Sequence, residues 1–489
     1  MKKIITLSTI AFLTTALSAN ADMQAQIDAL TTKIEKMEKT QKKQSKKISK
    51  VNKLANKDNI KFDVDFRTSY DNIQYTTVNG NKHTNDALYS NRLWLGMGYA
   101  PVDDMLFKGQ LSMNKAFGAS YMQRATGHGF DTFDWVRNEQ LTDDSLHVRE
   151  AYWLWTPTFD GIGYTASIGR RPATNGFLIN LRDDDKAKSP MGHVINMEFD
   201  GASASMSLDK LVTGMSIKLC LGRGLTNATS WASQATMAVA GVQAAQVGGT
   251  QLPSYVEDSG NLDNTDMVGI IFKPYDDGQY AVMTKWYRGF SVPGLSITNS
   301  PMMPGFNPTL PMAQMKSFGN MDGMAISFKA DGIGDEINDF LDETILFASL
   351  AFSQTQPDAN QAMLGSTSTE TGGSYWLGAQ IPNFTGGKFG LEYNHASAYW
   401  RPFTYGEDTM IGSKMAARGD AYEAYWTQPL IKKVFSMQVR YTKIDYNYTG
   451  SDAFFGDGGA PMSMAAAKAA GMDPIETAQD IRVYFRYRY

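Results

Sequence analysis

The chain has 489 residues, with 46 Lys and Arg against 50 Asp and Glu, and a net charge of −4 that argues against general nucleic-acid binding. One cysteine, Cys220, leaves no material for an intramolecular disulfide, a thiolate metal cluster or an iron–sulfur site. Mean hydropathy is below zero although aromatics reach 12%, and past the N-terminus no stretch approaches the roughly 20 apolar residues a helical membrane span needs.

Lys2 and Lys3 precede an apolar run over 4–17 and an Ala19-Asn20-Ala21 cleavage pattern, which predicts a signal peptide over 1–21 and export of the chain. Residues 22–58 then change period. Ile27, Leu30, Ile34, Met37, Gln41, Gln44, Ile48 and Val51 alternate spacings of three and four, the heptad pattern of a coiled coil with a glutamine layer in its seam. The surface of this segment is rich in lysine. Two readings follow: a solvated helix that spaces the rest of the chain, or a periplasmic coiled coil over 22–57 that joins protomers and touches anionic peptidoglycan.

From Lys61 onward the period is two. Phe62, Val64 and Phe66 alternate with Asp63, Asp65 and Arg67, and Leu93, Leu95, Met97 and Tyr99 form the next apolar face. Similar faces follow at Ile217, Leu219 and Leu221, at Tyr280, Val282 and Trp286, at Met324, Ile326 and Phe328, and at Phe435, Met437, Val439 and Tyr441. The last nine residues carry the clearest pattern. Ile481, Val483, Phe485, Tyr487 and Tyr489 lie on one face; Arg482, Tyr484, Arg486 and Arg488 lie on the other. A strand of a membrane β-barrel needs an apolar face toward lipid and a polar face toward a wet lumen.

Short connections near 101–104, 157–161, 209–214, 274–278, 331–343, 382–387 and 428–433 alternate with long ones near 72–87, 116–145, 171–192, 223–265, 289–321, 355–373, 397–419 and 449–478. Short periplasmic turns and long extracellular loops are the habit of outer-membrane barrels. The expected fold is therefore an all-β transmembrane barrel over 59–489, with about 16 antiparallel strands and both ends in the periplasm. Asp200-Gly201 reads as a bend inside one strand over 193–208. An interior of that width is too large for side chains to fill.

The segment from Gly169 to Lys186 is the most polar in the barrel. Arg170, Arg171, Arg182, Asp183, Asp184 and Asp185 are candidate constriction residues in a loop following a strand, because opposed charges in a narrow pore focus the field. The alternative is a solvated surface loop. Asp63, Asp65, Arg67, Glu392, Arg440, Arg482, Arg486 and Arg488 are the candidate pore lining. Three adjacent aspartates suggest a divalent cation, but an extended chain cannot aim all three at one ion, so no metal and no cofactor is expected. The facing of Arg149 and Glu150 is ambiguous, and 231–246 and 462–470 read as short loop helices. His83, His128, His147, His193 and His395 show no metal-ligand spacing and no serine sits in Gly-x-Ser-x-Gly, so no enzyme is expected.

Val148-Arg-Glu-Ala-Tyr-Trp153, Gly169-Arg-Arg-Pro running into Asn175-Gly176, Asn196-Met-Glu-Phe-Asp-Gly201 and the aromatic terminus together give the chain a family likeness over roughly 60–489. It resembles outer-membrane porins with an N-terminal coiled coil that are catalogued as a domain of unknown function. The terminal strand also resembles the signal read by the barrel assembly machinery. The expected function is passive diffusion of ions and small polar solutes through a homotrimeric porin embedded in outer-membrane lipid. The competing function is an envelope anchor, with the barrel as membrane plug and the coiled coil as tether.

Overall fold

The computed structural model describes residues 60–118, 141, 144–171, 173–228, 255–257, 262–301, 309–333, 337–404, 407–451, 453 and 455–489. The expected signal peptide, the coiled coil, the helix over 231–246 and most of the 116–145 loop lie outside them.

Among the described residues sixteen long antiparallel strands close on themselves. They are β1 (Lys61–Thr77), β2 (Lys82–Val102), β3 (Met105–Ala116), β4 (His147–Trp155), β5 (Ile162–Arg171), β6 (Phe199–Ser207), β7 (Ser216–Leu225) and β8 (Thr265–Asp276), followed by β9 (Tyr280–Gly289), β10 (Gly319–Asp331), β11 (Ile345–Pro357), β12 (Thr371–Pro382), β13 (Lys388–Ala396), β14 (Gly419–Ile431), β15 (Phe435–Tyr446) and β16 (Ile475–Arg488). A two-residue strand, Thr158–Phe159, belongs to the β4–β5 turn. Closure is between the first and last strands, in a register that sets Tyr70 opposite Val483 and Arg67 opposite Arg486. Val64 and Tyr489 exchange both backbone hydrogen bonds at 2.9 Å, so the seam runs to the final residue. Closure removes the sheet edges, which no other arrangement of strands achieves.

The period-two pattern sorts side chains by face. Ile481, Phe485 and Tyr487 are exposed on the outside of β16, while Arg482, Tyr484 and Arg486 are buried inside. Leu219 and Leu221, Met324, Ile326 and Phe328, and Leu350 and Phe352 extend the apolar outer band. Aromatic contacts gather toward both ends of the band. Trp155, Phe159 and Tyr164 pack near the short turns, as do Phe435 and Phe485. Tyr375, Tyr393 and Tyr422 pack toward the loops, as do Tyr70, Tyr89 and Phe117. Amphipathic rings of this kind suit the two interfaces of a bilayer.

Three expectations are corrected, and the short loop helix is found where expected. Residues 72–87 are not a long loop: β1 and β2 continue to a tight turn at 78–81. Above the apolar band these strands are held by a rim cluster of Ile73, Val78, Ile444, Tyr446, Met464 and Ala478, so the outward face there no longer has to be apolar and the alternation fades. The strand expected over 193–208 starts at Phe199, with Asp200 and Gly201 paired regularly inside it. Arg170 and Arg171 end strand β5 rather than sit in the loop. The loop helix at 462–470 is Met464–Ala469, capped by the Ser463 hydroxyl, which accepts from the Ala466 N–H at 3.2 Å.

A bulge settles the facing of Arg149 and Glu150. The β3–β4 register slips between Gln110 and Leu111, which face Glu150 and Val148, so Arg149 has no opposite residue and both side chains are buried. Gly169, at φ 132°, is needed near the same point, because a Cβ there would collide with the Ala151 carbonyl. Replacing Leu350 with Arg at mid-height on the outer face should cost about 2–4 kcal/mol in urea unfolding measured in lipid; an unchanged midpoint would contradict the lipid-facing assignment.

Candidate functional site

The inward residues of sixteen strands cannot meet across the barrel. Two long loops fill the gap. One joins β5 to β6 (172–198), and the other joins β13 to β14 (397–418); the described residues of both are mostly buried. They meet at mid-lumen, where Ile195–Asn196 pairs in parallel with Phe403–Thr404 and the Phe403 N–H donates to the Val194 carbonyl at 3.0 Å.

The loops create two environments. Against β9 to β12 they build an apolar core inside the barrel, with Leu178, Met191, Val194, Met197, Trp400, Phe403 and Met415 packed on Tyr287, Ala325, Ala351 and Trp376. His193 sits within it, hydrogen bonded to the Ser349 and Ser374 hydroxyls at 2.7 and 2.9 Å, and burial pushes its pKa down to about 3. A histidine enclosed in this way has no access to a substrate. Leu178 takes φ 80°, a costly conformation for a branched residue, held in place by complete burial.

Against β1, β2 and β13 to β16 the loops build a charged network. Asp408 receives Arg67 in a fork of two hydrogen bonds, and it also lies 3.3 Å from Arg482, 3.5 Å from Arg440 and 3.7 Å from Arg92. Its carbonyl accepts from Arg482 at 2.7 Å. Burial alone would raise the Asp408 carboxyl, but Arg67 and Arg482 hold it well below the usual carboxylate range. Lys414 bridges Glu392 and Glu423 at 2.6 Å each, and Glu423 also accepts from Arg182 at 3.0 and 3.1 Å. Arg182 donates in addition to the Glu407 carbonyl, tying one loop to the other.

The candidate residues therefore fall as follows. Arg182 and Asp183 are buried against the far wall, where Asp183 accepts from the Tyr484 hydroxyl at 2.9 Å and its carbonyl accepts from Arg486 at 2.8 Å. Burial would raise Asp183, yet Arg182 and Arg440 hold it below the carboxylate range. Asp184 is exposed and meets Lys388 at 3.0 Å; Asp185 meets Arg486 at 2.9 Å and Arg488 at 2.7 Å. Asp184 and Asp185 thus share Arg488, which lies 3.8 Å from the first, while the Asp183 carboxylate lies 3.6 Å from Arg182. Arg170 pairs with Glu198 at 3.1 Å, and Arg171 stacks on the Tyr152 ring at 4.5 Å. Asp65 meets Arg486 at 2.9 Å and Arg92 at 3.6 Å, Arg482 meets Asp71 at 2.5 Å, and Glu392 accepts from the Trp376 indole at 3.1 Å. Asp63 lines a cavity of about 910 Å³ on the short-turn side of the loops, beside Lys61, Lys108, Glu150 and Lys188.

Asp408, Lys414, Glu423, Arg92, Asp71 and Glu198 escaped the sequence reading. Arg92 and Glu423 stood between outward residues and were legible by period. Asp408 lies in a loop at φ 61°, where no period exists to mark it.

Asp408→Ala should leave four arginines facing one another and cost about 3–5 kcal/mol, as loss of one partner in a buried ionic cluster does; a change under about 1 kcal/mol in denaturant unfolding would contradict this role. Because Asp183 and Asp408 titrate below their unfolded values near 4, their stabilisation is complete above that pH and lost as pH falls through the folded values. Tryptophan fluorescence of Trp376 and Trp400 should thus stay constant from pH 7 down to about 5 and change only below about 4.

A family model described as "Protein of unknown function (DUF3373)" matches residues 82–489. No curated protein sequence matches the chain. Among solved structures, an OmpT outer membrane protein of Vibrio cholerae aligns at 10% identity over 88% of this chain and 99% of its own, with a TM-score of 0.42. Salmonella typhi OmpF, in complex with daunomycin, aligns at 12% identity over 87% and 97%, with a TM-score of 0.43. Pseudomonas putida OprB aligns at 10% identity over 88% and 94%, with a TM-score of 0.46. By the match over most of its length, the chain belongs to the DUF3373 family of proteins of unknown function.

Proposed function

We propose that this protein is an outer-membrane porin of restricted bore, which passes ions and small polar solutes between the extracellular loops and the periplasm. The observation that carries this reading is the combination of a closed barrel, apolar outside, with a lumen whose charged walls are bridged by two inward loops. A passive path needs polar groups to replace water around the solute, and these are supplied by the wall of β1, β2 and β13 to β16. Arg170, Arg171, Arg182 and Asp183 to Asp185, with Asp63, Asp65, Arg67, Glu392, Arg440, Arg482, Arg486 and Arg488, are the residues proposed to narrow and line it. Because most of these charges are paired, the path is narrow rather than strongly selective by sign.

In this reading the chain is exported and assembled through its terminal strand. Residues 22–58 lie in the periplasm, where they join protomers into an oligomer and reach peptidoglycan. The filled lumen also suits a second reading, in which the barrel is a membrane anchor and the N-terminal segment a tether.

Planar bilayers separate the two. The porin reading expects small steady openings from the purified protein and a several-fold larger conductance when Arg182→Gln and Asp408→Asn are combined to loosen both loops. Bilayers that stay silent for the wild type and for the double variant would overturn it in favour of the anchor.

A further inference from the structure

The buried cations near the β1–β16 seam have carboxylate partners: Arg67 and Arg482 with Asp408, Arg182 and Lys414 with Glu423, Arg486 with Asp65. The opposite wall differs. Lys218 on β7 and Lys285 on β9 point inward on either side of Ile271, in one row across three neighbouring strands. Arg171, from the end of β5, joins them around a cavity of about 70 Å³ that also touches Ser203 and Cys220. Among the described residues no carboxylate lines this cavity. Among the described residues none of the three cations makes an ion pair; Arg171 has the Tyr152 ring, and Lys285 lies 5.5 Å from the Tyr287 ring.

Lys285 is only 4% exposed. An ammonium held out of water beside two further cations lacks the counter-charge that such burial requires. Ring faces supply part of it, well short of what a paired anion supplies. The space decides the kind of anion. One water occupies about 10–15 Å³ on the same measure, so the cavity admits a small oxyanion but not a nucleotide or a peptide. Arg171 and Lys218 also line the larger cavity on the short-turn side, so an anion would arrive through a vestibule where Lys61, Lys108, Lys186 and Lys188 outnumber Asp63 and Glu150. Basic walls of that kind raise the local anion concentration.

We infer that Arg171, Lys218 and Lys285 form a binding site for a small oxyanion such as phosphate, entered from the short-turn side of the barrel. The guanidinium offers a planar fork of N–H donors, the two ammonium groups supply point charges, and the Ser203 hydroxyl offers a further donor. The site does not depend on whether the barrel conducts.

Titration calorimetry of the full-length refolded protein with inorganic phosphate, at low ionic strength, tests it. One saturable site per chain is expected. Lys285→Met and Lys218→Gln should each weaken binding by about tenfold, the loss of one charge-assisted hydrogen bond. Lys329→Gln, on the neighbouring strand β10 but outside the cavity lining and paired with Asp331, should leave affinity unchanged. If Lys285→Met fails to fold, Lys218→Gln carries the test, because that side chain is less buried. Binding that does not saturate, or equal affinity in all the variants, overturns the site. A barrel that conducts but binds no phosphate rejects the site and spares the channel; a silent barrel that binds phosphate does the reverse.

Discussion

The carboxylate of Asp408 holds the interior together. It carries one loop across the lumen to four arginines that arrive from β1, β2, β15 and β16, strands at the seam where the barrel closes. Without that negative charge the seam would present a stack of cations to itself, since Arg67 and Arg486 are opposite each other in the β1–β16 register. Asp65 and Asp71 balance part of this positive charge from within β1, and Asp185 balances more from the other loop. Charges taken out of water are tolerable only as a nearly neutral set, so closure of the sheet and docking of the loops are parts of one electrostatic solution.

The same constraint explains why the lumen has two halves. Where inward strand residues are charged, as on β1 and β13 to β16, the loops answer with Arg182, Asp183, Asp185, Asp408 and Lys414. Where they are apolar or small, as on β9 to β12, the same loops present Phe403, Trp400, Met191 and Val194. Each loop is amphipathic with respect to the two walls it meets. The region around Lys285 follows neither pattern: its cations lie at the border of the apolar half, and among the described residues no carboxylate lines their cavity.

Legibility followed periodicity. The inward placement of Asp65, Arg67, Arg440, Arg482 and Arg486 came from alternation alone, because an apolar outer face fixes every second residue. The strand number followed from the same signal together with connection length. Alternation failed where its cause was absent. Above the apolar band β1 and β2 continue without it, and before Phe199 the chain is buried on all sides as a loop. Arg149 and Glu150 were ambiguous because a bulge lets two consecutive side chains share one face. Arg170 and Arg171 read as loop residues because two adjacent charges break the alternation, yet they end a strand.

By itself, then, the sequence determined the barrel, its apolar and polar faces, its closure at Tyr489 and most of the charged residues of the wall. Those are local consequences of a side-chain period of two meeting an apolar surrounding. Only the tertiary structure decided that the loops at 172–198 and 397–418 enter the lumen, that Asp408 faces four arginines, and that Arg171, Lys218 and Lys285 gather around one cavity. These depend on which residues, hundreds apart in the chain, are brought across a closed ring, and no period along the chain records that distance.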